Sequence, residues 1–241
     1  MTINYLRRSA LKAELITHMG DDLLVVNAAR VSMDKESSYQ HSRMDGKVMY
    51  EKDKKLLSYL AKENHWTPFS HPQICMRETV PIFVARQRFK HMVGFTYNEV
   101  SRRYVDTPPE FYTPDVWRSR PEGSIKQGSG EPISDEQGFG GSVASPAAIV
   151  HYAEKHAITA CERAYSDMLK AGVAPEQARM VLPQSMYTSF YVTGSLAAWA
   201  RAYKQRRDSH SQLEIQHLAK QWDTIIAPLF PESWAVLTQV N

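Results

Sequence analysis

The chain of 241 residues can bury a sizeable core, as one large domain or two small ones, and its composition (43% hydrophobic, 23% charged) is that of an ordinary globular protein. A formal net charge of +3 is too small for a nucleic-acid binder, which would carry a strongly basic face, and no apolar run approaches the ~20 residues of a membrane span. The opening segment Met1–Gly20 lacks the continuous apolar core of a secretory signal and acids follow its arginines, so a cytoplasmic protein is expected.

Lys12–Met19 alternates loosely, as a strand does, and a short helix is expected through Val25–Arg30. Glu51–Asn64 reads as a helix, because Leu56, Leu57 and Leu60 form an apolar stripe at helical spacing. His65–Pro72 is a turn-rich connector and Gln73–Thr79 a strand; Pro81 then suits the first turn of a helix, where its missing N–H costs nothing. From Thr107 the chain is irregular. Pro121–Ser142 holds six of the eleven glycines and almost no large apolar residue, which predicts a flexible insertion at about 121–142. Ser145 as N-cap and Pro146 at the first helical position open a long helix that should run to about Lys170 and stop near Gly172. A short helix begins at Pro175-Glu176, and the aromatic, β-branched run Met186–Thr193 predicts a strand. Leu196, Trp199, Ala200 and Tyr203 mark an amphipathic helix, and a last long helix spans Ser211–Ala227 ahead of a proline-broken tail. The fold class is α+β, with helices predominating in the C-terminal half.

The densest chemistry lies in Pro81–Tyr104, which sets Arg86, Arg88, Lys90, Arg102 and Arg103 against one acid, Glu99. Gln87, Lys90 and His91 then fall at i, i+3 and i+4 and share one face. A surface of cations, amides and a hydroxyl suits a phosphorylated small molecule. The competing reading is a solvated charged face; against it, Phe83, Phe89, Phe95 and Tyr97 interleave the charges and would anchor the segment to a core. The nine histidines include no HExxH and no convincing ligand spacing, so no protein metal site is expected.

Seven blocks carry a resemblance: AARVS at Ala28–Ser32, HWTPFSH at His65–His71, PIFVARQ at Pro81–Gln87, NEVSRRY at Asn98–Tyr104, EFYTP at Glu110–Pro114, ARMVLPQSMYT at Ala178–Thr188 and RRDSHSQLEIQ at Arg206–Gln216. In this order they make the chain similar to the flavin-dependent thymidylate synthases, over everything except the N-terminal tip and the glycine-rich insertion. The resemblance implies that family's fold, a mixed sheet with long helices, as a single domain over 1–241. It implies reductive methylation of deoxyuridylate to thymidylate, with methylenetetrahydrofolate as carbon donor and FAD, reduced by NADPH, as hydride donor. It further implies a homotetramer with active sites shared between subunits, whose ligands are nucleotide and folate, not nucleic acid or membrane.

Carried over position by position, the resemblance assigns deoxyuridylate to Gln87, Lys90, Glu99, Ser101, Arg102, Arg103, Arg179 and Arg206, with Arg206 and Ser101 catalytic. Arg206 would approach the uracil ring, where a cation favours electron density on the pyrimidine oxygens and nucleophilic character at carbon 5. Arg102 stands where many relatives have glycine, so its backbone is the expected contact. FAD falls to Ser32, His65, Thr67, Lys90, His91, Met92, Val93, Ser195 and Arg201. The family's Arg-His-Arg triplet reads Lys90-His91-Met92 here, with Ser101 after eight intervening residues. Lys90 keeps charge but not the planar fork of arginine, and Met92 keeps neither.

Cys75 in a strand and Cys161 in a helix have no thiolate-stabilising neighbours in sequence, which predicts buried structural thiols and a mechanism without a cysteine nucleophile. Tyr104 and Tyr187 are expected in the core. His65, His71 and His210 have structural readings beside the functional ones. The altered triplet leaves a same-fold nucleotide hydroxymethylase or a deoxycytidylate-modifying enzyme open, and, from another class, a nucleotide- or RNA-binding protein that has lost flavin chemistry.

Overall fold

The computed structural model describes residues 7–8, 10–42, 46–105, 107–121, 128–133 and 145–239. Residues 122–127 and 134–142 of the expected insertion lie outside that set. In chain order the elements are β1 (Arg7–Arg8), β2 (Lys12–Met19), α1 (Asp22–Arg30), β3 (Gln40–Ser42), β4 (Gly46–Val48), α2 (Glu51–Lys62), β5 (Gln73–Pro81), α3 (Ile82–Arg88), β6 (Phe95–Glu99), β7 (Phe111–Tyr112), α4 (Pro146–Lys170), α5 (Pro175–Ala178), β8 (Tyr187–Ser195), α6 (Leu196–Arg206), α7 (Leu213–Ile226) and α8 (Pro231–Thr238). The architecture is α+β, and the chain divides into two compact units.

The first unit comprises Met1–Leu11, Thr79–Gln87 and Glu99–Ser189. Here β1 pairs in parallel with β7, and Phe111 bridges to Met186. Phe111, Ile158 and Met186 form its buried cluster, against which Ile82 and Leu182 pack. The Ser145 hydroxyl accepts from the Ala148 N–H at 3.2 Å and so caps α4, which ends at Lys170 just before Gly172 in the left-handed region (φ 84°). Pro81 differs from expectation: it is the last residue of β5, and α3 begins one residue later, with the Ile82 N–H spent on the Met186 carbonyl.

The second unit comprises Lys12–Glu78, Arg88–Asn98 and Phe190–Asn241. The greater part of a four-stranded sheet, in the order β2-β5-β8-β6, belongs to it. Alternation along β5 buries Ile74, Met76 and Glu78 on one side and leaves Cys75 and Arg77 on the other. Trp199 on α6 and Trp222 on α7 are fully buried, their rings 5.4 Å apart, and the Trp199 indole donates to the Ile74 carbonyl at 3.2 Å. Burying side chains of this size contributes about 2–3 kcal/mol each. The tail is not simply broken by proline: Pro231 opens α8, whose first N–H groups, of Glu232 and Ser233, donate to the buried Asp22 carboxylate at 2.9 Å. That carboxylate, 210 residues earlier in the chain, is the cap the local sequence lacks. Burial raises the Asp22 pKa against these hydrogen bonds.

Candidate active site

α3 ends at Arg88, so Lys90 and His91 do not extend the face that begins at Gln87. The reason lies in the capping: the Arg88 carbonyl accepts from the His91 N–H at 3.1 Å, which turns the chain towards β6. Gly94 completes the turn at φ 79°, and a Cβ there would stand 2.9 Å from the Ala198 Cβ, so the turn lies directly against α6.

Arg88 is not part of an anion-gathering surface. It is fully buried in the second unit, its Nε 3.2 and 3.1 Å from the two oxygens of the equally buried Glu78. The guanidinium lies 4.5–5.2 Å from the ring centroids of Phe95, Tyr97, Trp199 and Trp222. Burial pushes the Glu78 carboxyl up, while the charge and hydrogen bonds of Arg88 pull it down. Helical spacing hid this, but the strand signal was present: Glu78 continues the inward register of Ile74 and Met76, and a carboxylate there requires a partner.

The altered triplet splits by direction. His91 is 8% exposed, whereas Lys90 and Met92 face solvent. Arg206, in the last turn of α6, donates its Nε–H to His91 Nε2 at 2.8 Å, and Arg201 donates to the Val93 carbonyl. Burial, then the charges of Arg206, Arg88 and Arg201, lower the His91 pKa to about 4. The imidazole is therefore neutral near pH 7, accepts at Nε2 and carries its proton on Nδ1. Burial and Arg88 likewise lower the Arg206 pKa.

Beside α6 lies a cavity of about 410 Å³, lined among others by Trp66, Ser70, Val93, Ser195, Arg201 and Lys204. Three expected flavin residues, Val93, Ser195 and Arg201, share it. The Ser195 hydroxyl also caps α6, accepting from the Ala198 N–H at 3.2 Å. Ser32, Thr67 and His65 are exposed in short turns outside this lining; His65 stands edge-on to Tyr59. Trp66 and Lys204 were not predicted. Lys204 could have been found from its i, i+3 relation to Arg201 on one helix.

In the first unit, the Ser101 hydroxyl accepts from the Arg103 N–H at 3.3 Å and lies 3.4 Å from Arg103 Nε, while the Tyr104 N–H closes the turn onto the Ser101 carbonyl at 3.0 Å. Glu99 accepts from the Thr188 hydroxyl at 2.6 Å. The Arg102 side chain donates to the Thr107 carbonyl, and its pKa is lowered by burial, with Tyr165 and Glu110 acting in the opposite sense. That side chain is thus engaged within the protein. Arg179 follows α5 and donates to the Glu176 carbonyl at 3.3 Å. Gln87 is half-buried on α3. Tyr104 is not core: it is 77% exposed, with the Arg103 guanidinium over its ring, whereas Tyr187 is buried. Cys75 and Cys161 are free and half-buried, not fully enclosed, because Cys75 takes the outward register of β5. His210 is exposed and bonded to Asp208 through both its backbone and its ring.

The family described as "Thymidylate synthase complementing protein" matches residues 14–232. The flavin-dependent thymidylate synthase of Thermotoga neapolitana is 35% identical over 219 residues, 91% of this chain and 85% of that one. The enzyme of the same name from Thermosipho africanus is 37% identical over 216 residues, 85% of this chain and 81% of its own. Among solved structures, the UMP/dUMP methylase PolB from Streptomyces cacaoi bound with 5-Br dUMP superposes with a TM-score of 0.78 at 30% identity, covering 96% of both chains.

Proposed function

Because this chain belongs to the flavin-dependent thymidylate synthase family, we propose that it methylates deoxyuridylate reductively to thymidylate, taking its carbon from methylenetetrahydrofolate. It is an enzyme of the methyltransferase class. The observation that supports the reading most is the family match over residues 14–232, which spans all seven motif blocks.

In this reading residues 1–241 form a single domain, and homotetramer assembly completes active sites shared between subunits. Ser101, Arg103 and Arg179, with the backbone at Arg102, hold the nucleotide phosphate, and Gln87 and Glu99 its remaining polar groups. Arg206 places a cation against the pyrimidine oxygens and so favours carbon 5 as the nucleophile. The neutral His91 beneath it accepts from Arg206 without competing as a second cation.

The cavity beside α6 fits part of an FAD molecule: Trp66 offers an exposed aromatic face, and Arg201 and Lys204 offer cations for a diphosphate. Ser32, His65, Thr67, Lys90, Met92, Val93 and Ser195 complete the proposed flavin contacts. When bound, FAD reduced by NADPH supplies the hydride. Neither cysteine is assigned a role. No helix among the described residues is long and apolar enough to cross a membrane, and a cytoplasmic setting belongs to the same reading.

The solved neighbour named a UMP/dUMP methylase favours one second reading, in which the ribonucleotide UMP is also methylated. The test is mass spectrometry of the nucleotide after anaerobic incubation of FAD-loaded protein with methylenetetrahydrofolate, NADPH and either dUMP or UMP. Thymidylate from dUMP supports the proposal, and 5-methyl-UMP supports the second reading. A hydroxymethylated product would overturn reductive methylation.

A further inference from the structure

We infer that Arg88, clamped by Glu78, is a positioning residue that fixes Arg206 through Tyr97 and His91. The inference rests on the reading of Arg206 as the cation at the pyrimidine and adds what holds it there.

A buried Arg–Glu pair is a poor source of stability, since desolvation of both charges offsets most of their attraction. What such a pair supplies is direction. The Glu78 carboxylate takes Arg88 Nε at 3.2 and 3.1 Å, and the surrounding rings of Phe95, Trp199 and Trp222 hold the guanidinium plane. Arg88 Nη1 is thereby aimed at the Tyr97 hydroxyl oxygen, to which it donates at 2.5 Å. An oxygen that accepts from a guanidinium must send its own proton elsewhere, and the His91 carbonyl stands 2.6 Å away. Burial raises the Tyr97 pKa to about 12, so this proton is present throughout the neutral range. The hydroxyl pins the backbone of His91, and the imidazole of the same residue receives Arg206 Nε at 2.8 Å. Arginine has four rotatable bonds and no intrinsic preference for one geometry, so an acceptor fixed from the core sets where its Nε–H points. All five residues lie in the second unit.

Tyr97→Phe removes one oxygen and keeps the ring packing and the Glu78–Arg88 pair. It should leave FAD content unchanged and the KM for deoxyuridylate within about twofold, while kcat falls about tenfold or more. Independently of turnover, the Arg206 Nε–H resonance in 15N NMR, assigned by its loss in Arg206→Lys, should lose its slow exchange. A second variant, Glu78→Met with Arg88→Met, exchanges the pair for apolar groups that buried sites tolerate and should reproduce both effects. Parental kcat and unchanged Arg206 Nε–H exchange in a folded Tyr97→Phe protein overturn the inference, provided that Arg206→Ala is inactive. Near-parental turnover of Arg206→Ala would instead overturn the reading beneath it, and with it the expected effect on kcat.

Discussion

Arg206 rests on His91 through a 2.8 Å hydrogen bond in which the cation donates and an uncharged imidazole accepts. The contact joins residues 115 apart in sequence, from the turn before β6 and the last turn of α6. It exists only while His91 is neutral, since a protonated ring has no acceptor to offer.

A pH dependence follows. His91 has a folded pKa of about 4 against an ordinary 6.5. Between these values the unfolded chain binds a proton that the folded one refuses, so stability rises with pH across the window. The contribution is complete above about pH 6.5 and is lost as pH falls towards about 4; its size is on the order of 3 kcal/mol. Denaturant midpoints measured from pH 7 to pH 4 should fall more steeply for the parent than for His91→Gln. Equal slopes would remove His91 as the source.

Arg206→Ala is expected to lower turnover by about 100-fold or more while the yellow FAD complex survives, because the role proposed for the group is at the pyrimidine and not at the flavin. Steady-state rates beside the visible spectrum of the purified variant decide it. Near-normal turnover would take Arg206 out of the mechanism.

Gly94→Ala meets two obstacles at once, a left-handed backbone at φ 79° and a Cβ 2.9 Å from that of Ala198. The turn must shift, at a cost of about 1–3 kcal/mol, and the Val93 carbonyl moves from Arg201. Thermal unfolding should register the loss, and FAD titration should show weakened binding, since Val93 and Arg201 line the same cavity. Parental stability and flavin affinity together would show that the turn is not held in this way.

Cys75→Ala combined with Cys161→Ala should leave product formation largely unchanged. Both thiols are half-buried, so the expected stability change is about 1 kcal/mol or less per site. Activity lost with fold and flavin retained would point to a thiol nucleophile.

Much of this protein was readable without coordinates wherever the deciding groups are close in sequence. Ser145, Pro146 and Gly172 delimit α4 by capping alone, and the spacing of Leu196, Trp199 and Tyr203 marks α6, because a cap or an amphipathic face is defined within a turn or two. The motif blocks identified the family for a related reason: each is a local run whose order can be checked by eye. Capping also explains the error at the tail, where the partner that turns Pro231 into a helix start is Asp22.

The sequence by itself thus determined α2, α4, α6 and α7, the α+β class and the family, since these rest on neighbours along the chain. Only the tertiary structure decided that Arg88 is buried on Glu78, that His91 turns inward while Lys90 and Met92 face solvent, and that Tyr104 lies outside the core. A charge that reads as surface on a helical wheel becomes interior when a strand ten residues earlier presents a carboxylate to it. Burial is a property of what packs across the fold, and for His91 that partner stands 115 residues away.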